Sequence, residues 1–94
     1  MRVRWLRTAL RNLDDEAAYI AKDDPQAAVR TVDRIRRAVD RLSFHPEIGR
    51  SGRVSGTREL VVPDTPYIIP YRVTADRVES LRVFHGTRRW PKRF

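Results

Sequence analysis

With 94 residues, no cysteine, two histidines and a net charge of +8, the chain is long enough for one domain, predicted to span 1–94, and too short for two. The missing cysteines exclude a disulfide-stapled scaffold and a thiolate zinc site, and His45 and His85 alone cannot hold a metal, so neither metal nor cofactor is expected. No apolar run approaches the roughly 20 residues that span a bilayer, and no apolar stretch of the signal-peptide kind follows the basic start, Met1 to Leu6, so a cytoplasmic location is expected.

Residues 2–5 alternate, with Val3 and Trp5 on one face, and predict a short first strand. The period then changes. Leu6, Leu10, Leu13, Ala17 and Ile20 follow at spacings of 4, 3, 4 and 3, a single apolar stripe down an amphipathic helix. Asp23-Asp24-Pro25 ends this helix and starts another. Asp24 is an N-cap acceptor, and Pro25 fits the first helical position, where no N–H is needed. The second helix runs to about Ser43, with Ala28, Val29, Val32, Ile35, Val39 and Leu42 as its apolar face. Arg30, Arg34, Arg37 and Arg41 lie almost diametrically opposite. That stripe is able to bind phosphates or simply to be solvated, with Asp33–Arg37 and Arg36–Asp40 pairs at helical spacing. The short turn between the helices predicts an antiparallel hairpin.

His45-Pro46 stops the second helix, because the residue before a proline avoids helical backbone. Residues 45–57 contain Gly49, Gly52 and Gly56 and predict an extended loop. From Arg58 the period becomes two. Arg58 to Val62 is a predicted strand, Pro63-Asp64-Thr65-Pro66 a turn, Tyr67 to Thr74 a second strand, Ala75-Asp76 a turn, and Arg77 to Phe84 a third strand. Pro70 inside the second implies an edge position or a bulge. Three such strands make an antiparallel meander. The predicted fold class is α+β, an N-terminal antiparallel helical hairpin packed on a small, mainly antiparallel β-sheet.

No Gly-rich phosphate loop, nucleophile elbow or metal-binding spacing is present, so no catalytic residue is assigned outright. If the chain cleaves a phosphodiester, the candidates are Arg58, Arg72, Arg82 and His85. The arginines would stabilise the extra negative charge of the transition state, and His85 would move the proton of an attacking 2′-hydroxyl. Arg72 and Arg82 also alternate with apolar neighbours as ordinary outward strand residues do. Eighteen of the 20 basic residues are arginine, and the excess is uneven, net +2 over residues 1–49 and +6 over 50–94. An acidic partner follows, RNA, DNA or an acidic protein segment. His85 to Phe94 holds Arg88, Arg89, Trp90, Lys92 and Arg93 and no acid. A target-binding surface is therefore expected at Arg82, His85, Arg88, Arg89 and Trp90. Trp90 could equally close an edge of the core.

The helical hairpin is followed by Leu42-Ser43-Phe44-His45-Pro46-Glu47-Ile48-Gly49-Arg50, then Arg58-Glu59-Leu60, then Tyr67-Ile68-Ile69-Pro70-Tyr71-Arg72-Val73, then His85-Gly86-Thr87-Arg88-Arg89-Trp90-Pro91. In this order, and over nearly the whole chain, these segments resemble the RelE/ParE family of toxins of bacterial type II toxin–antitoxin systems. The resemblance implies an α+β toxin neutralised by a cognate antitoxin. RelE-like members cut mRNA on the ribosome; ParE-like members bind DNA gyrase and poison it with no chemistry of their own. Ribonuclease members tend to place an arginine directly after the first tyrosine of a Tyr-Arg-x-x-Tyr strand, and here that position is Ile68. Nor is there a lysine-rich strand, since the only lysines are Lys22 and Lys92. The resemblance thus implies a ParE-like, non-enzymatic gyrase inhibitor that arrests growth. The alternative is a metal-independent, ribosome-dependent mRNA endonuclease, and a weaker one a non-catalytic nucleic-acid-binding module.

Overall fold

Leu6 breaks the alternation of β1 (Arg2–Trp5) and opens α1 (Arg7–Ala21), the first arm of the hairpin, in a computed structural model that describes residues 1–94. Asp24 then starts α2 (Pro25–Asp40), its side chain accepting the Ala27 N–H at 3.0 Å with Pro25 in the first turn. A 3-10 turn, Arg41–Ser43, extends α2 up to His45-Pro46. The strands follow as β2 (Arg50–Ser51), β3 (Arg58–Val61), β4 (Tyr67–Val73), β5 (Arg77–Ser80) and β6 (Phe84–His85).

The sheet runs β1-β5-β4-β3-β2, with β6 pairing to β4. The meander β3-β4-β5 is antiparallel as expected. β1 joins β5 in parallel, Arg2 opposite Arg77 and Trp5 opposite Ser80, so the sheet is mixed. Both helices cover one face. The core joins Leu13, Ile35, Ala38, Val39 and Leu42 to Leu60, Val62, Tyr67, Ile69, Tyr71, Val78 and Val83.

Four expectations need correction. Leu10 and Val29 belong to the apolar stripes, yet they are 46% and 71% exposed. The sheet covers only part of each stripe: Leu13, Ala28 and Ile35 are buried as expected, and Ala9 joins them. The loop over 45–57 contains a two-residue strand, β2, held to β3 through the register Arg50 to Glu59. The third predicted strand is broken into β5 and β6 around Leu81–Val83. Finally, Pro70 sits not at an edge but inside β4, between β3 and β5, and it is fully buried.

The last two corrections share one cause. A strand residue's N–H and C=O point to the same side. The Pro70 carbonyl accepts the Leu81 N–H at 2.9 Å, so its missing donor faces the break between β5 and β6. No ladder bond is lost there. The break has its own partners: the Val83 N–H donates to Asn12 Oδ1 of α1 at 3.1 Å, and Arg82 Nη1 donates to the Leu81 carbonyl at 2.7 Å.

Ile35 is 1% exposed at the centre of this core. Ile35→Ala is expected to lower stability by about 2–5 kcal/mol, the usual cost of deleting buried methylenes and leaving a cavity. Denaturant titration of the purified chain measures it.

Candidate target-binding surface

The two faces of the sheet use polar groups differently. On the helix face, Tyr71 is fully buried, and its hydroxyl donates to the Pro46 carbonyl at 2.7 Å while accepting the Gly49 N–H at 2.8 Å. A Cβ at Gly49 would stand 2.5 Å from the Tyr71 ring, so only glycine fits. Arg58, opposite Tyr71 in register, donates from Nη1 to the carbonyls of Glu47 (3.2 Å) and Gly49 (2.9 Å). Burial raises the Tyr71 phenol pKa above its ordinary value. The loop motif containing Pro46 and Gly49 is therefore a clamp, and Arg58 is part of it.

The other face is dominated by arginine. Glu59 is 1% exposed there, and its carboxylate accepts from Arg50 Nε and Nη2 at 3.2 and 3.0 Å and from the Arg53 N–H at 2.7 Å, with Arg53 Nε 3.4 Å away. The Arg53 guanidinium lies 4.2 Å over the Trp90 ring. Trp90 meets Phe84 edge-on at 5.1 Å, Arg88 lies 4.2 Å over Phe84, and Arg82 lies 5.1 Å over Phe94. Burial and the neighbouring Arg88 lower the Arg82 pKa. Nearer β1 a second carboxylate, Glu79, is flanked by Arg77 at 3.1 Å and Arg72 at 4.0 Å, with Arg4 its register partner. The result is a face of guanidiniums interleaved with aromatic rings around two carboxylates.

Of the residues expected to bind a target, Arg82, Arg88 and Trp90 come together here, and Arg89 lies exposed beside them. Trp90 does close part of the fold, but by packing on Phe84. His85 is opposite Tyr67 in register and so points to the helix face, stacking edge-on against the Tyr67 ring at 5.8 Å. It lines a cavity of about 180 Å³ with Asn12, Asp15, Glu16 and Arg88. Of the four residues weighed for phosphodiester cleavage, Arg82 lies near Arg88, which also lines the His85 cavity, and the other three are dispersed. Arg72 faces away from the helices, Arg58 and His85 toward them, and these last two stand opposite Tyr71 and Tyr67, about 13 Å apart along β4. Sequence reasoning missed Glu59, Arg50 and Arg53. The signal available was the Gly-Arg at the end of the loop motif and the Arg-Glu-Leu after it.

Burial, together with Glu16, pushes the Tyr67 phenol up to about 12 from its ordinary 10.0. Between these values the unfolded chain has released a proton that the folded chain still holds. Stability is therefore expected to be fully present below pH 10 and to fall as pH rises toward 12. Absorbance titration of the phenolates beside denaturant titration at each pH checks both statements, and Glu16→Gln should move the transition to lower pH.

Residues 3–90 match the family described as the ParE toxin of the type II toxin–antitoxin system parDE. The toxin candidate Y4kP of Sinorhizobium fredii is 56% identical over 91 residues, covering 97% of this chain and 94% of its own. Toxin RelE2 of Caulobacter vibrioides is 36% identical over 86 residues, 92% of this chain and 96% of that protein. Among solved structures, one from the chromosomal ParDE system of P. aeruginosa superposes with a TM-score of 0.81 at 28% identity, covering 90% of this chain and 95% of that one.

Proposed function

The chain belongs to the ParE toxin family of type II toxin–antitoxin systems, and from that premise we propose that it arrests growth by binding and inhibiting DNA gyrase, in the cytoplasm, without chemistry of its own. Ile68 carries this reading. It occupies the position after Tyr67 where ribonuclease members of the family tend to place an arginine, and it is buried beside its cross-strand partner Phe84. An apolar side chain there cannot stabilise the charge that develops on a phosphate being cleaved. The dispersal of Arg58, Arg72 and His85 supports the same conclusion. The surface offered to the target is the arginine and aromatic face, with Arg82, Arg88, Arg89 and Trp90, a composition that favours protein hot spots.

A ribosome-dependent mRNA endonuclease is the second reading, favoured by the cavity where His85 lies near Glu16 and Arg88. Purified toxin is expected to inhibit supercoiling by gyrase, to accumulate cleaved DNA–gyrase complex and to leave ribosome-bound mRNA intact. Arg89→Ala should weaken inhibition at least tenfold with stability changed by no more than about 0.5 kcal/mol, as for an exposed site. Cleavage of mRNA on the ribosome, abolished by His85→Ala, would install the second reading instead.

Family membership implies a cognate antitoxin protein. On our reading a segment of it, disordered when free and partly acidic, complements the net +6 of residues 50–94. Its apolar part lies along the trough of about 420 Å³ between α1 and α2, walled by Ala17, Ala18, Ala21, Ala28, Val29 and Val32. With Pro70 inside β4, the strands offering a free edge for an added strand are β1, β2 and the two-residue β6. Val29→Asp is expected to reduce antitoxin affinity at least tenfold while the melting temperature holds, because the side chain is solvent-facing. Co-purification from the native operon and calorimetry of the two proteins measure this.

A further inference from the structure

We infer that the outer face of α2 is a separate binding surface that takes the phosphate backbone of double-stranded DNA without reading its sequence. Arg30, Arg34, Arg37 and Arg41 run in one line along this face. At 1.5 Å of rise per residue they are spaced about 4.5–6 Å apart over about 16 Å of helix. Arg30 stands 4.0 Å from Asp24 and Arg37 2.9 Å from Asp33. Arg34 and Arg41 have no carboxylate within ion-pairing distance. The stripe also borders a concavity. Between α2 and the β3–β4 turn is a groove of about 200 Å³, where Arg34, Arg37 and Arg41 surround Ala38 and face Pro63 and Asp64. Of the three guanidiniums lining it, Arg37 is paired with Asp33, while Arg34 and Arg41 have no ion-pair partner and keep their donors for phosphate oxygens.

The chemistry of the groove separates the possible partners. No aromatic or large aliphatic side chain lines it. A protein interface needs a desolvated apolar centre, whereas contact with a nucleic-acid backbone needs only arranged charge. The arginines project from a regular helix. The B-form major groove admits a helix between two phosphate rims, while the A-form major groove of RNA is too narrow for one. The stripe lies on the helix side of the sheet, beside the β3–β4 turn, so it can be occupied while the arginine and aromatic face on the other side engages a protein.

The test is fluorescence anisotropy of a labelled 30-base-pair DNA duplex of arbitrary sequence, titrated with the full purified chain at several salt concentrations. Binding is expected to weaken with salt with a log–log slope near −0.9 per phosphate contacted. Arg34→Gln/Arg37→Gln/Arg41→Gln should lose about 2–3 of that slope and at least about tenfold in affinity. Arg34→Gln alone, at a side chain with no ion-pair partner, should lose about one unit of slope, which covers the case of a triple variant that does not fold. Arg89→Gln, on the other surface, should bind DNA as the parent does. The inference is overturned if the α2 variants bind DNA unchanged, or if Arg89→Gln alone removes binding. It is overturned equally if duplex RNA of the same sequence is the tighter ligand, or if poly-glutamate rather than DNA is bound through the stripe. No gyrase is present in this measurement, so its outcome is independent of the supercoiling assay.

Discussion

The Glu59 carboxylate organises the face of the sheet turned away from the helices. A buried carboxylate is tolerated only when its charge and lone pairs are matched, and removing its partners is far more costly than the pair is stabilising. Glu59 meets that requirement with the Arg50 guanidinium, the Arg53 guanidinium and the Arg53 backbone N–H. The consequences spread outward. Arg50 brings β2 onto β3, and Arg53 is held where its guanidinium can lie over Trp90. Trp90 packs on Phe84, and Arg88 covers the same ring. A single acid in β3 thus reaches the last residues of the chain through one guanidinium and two aromatic rings.

The opposite face is tied by a neutral group. The Tyr71 hydroxyl both donates and accepts, closing the loop after α2 onto β4, and Gly49 leaves the room it needs. Arg58 Nη1 donates to two backbone carbonyls of the same loop. An arginine that looks like a catalytic candidate in sequence is thereby committed to structure, whereas the arginines of the other face keep part of their surface free. The proposed division of labour follows from this. In the proposed reading binding belongs to the arginine and aromatic face, while the clamp fastens the loop after α2 to β4 on the opposite side.

The helices were legible because their signals are local. Asp24 and Pro25 announce the start of α2 by chemistry that acts within one turn, and the stripes declare which side is apolar. A stripe does not declare how much of it will be covered, and so Leu10 and Val29 read as core. The rule against proline in a central strand assumes an unbroken neighbour. Pro70 is accommodated because the neighbouring strand is interrupted at Leu81–Val83. The arginine and aromatic surface was half legible. Its tail residues are conspicuous in composition, but Arg53 reaches Trp90 across 37 residues with no periodicity to link them. The loop motif and the Arg-Glu-Leu segment stood out as a family resemblance before their roles as clamp and buried ion pair were visible.

The parallel pairing of β1 with β5 also dictates an order of events in time. Arg2 is matched with Arg77, 75 residues later, whereas the α1–α2 hairpin joins neighbours. Local contacts form fast and distant ones slowly, because the intervening chain must be closed first. At synthesis rates of about 5–20 residues per second, β1 leaves the ribosome about 4–15 s before its partner strand exists. Through that interval the nascent chain can close its helical hairpin but not its sheet. The arginine face, which needs β3, β4 and residues 82–94 together, comes into being later than the helical hairpin.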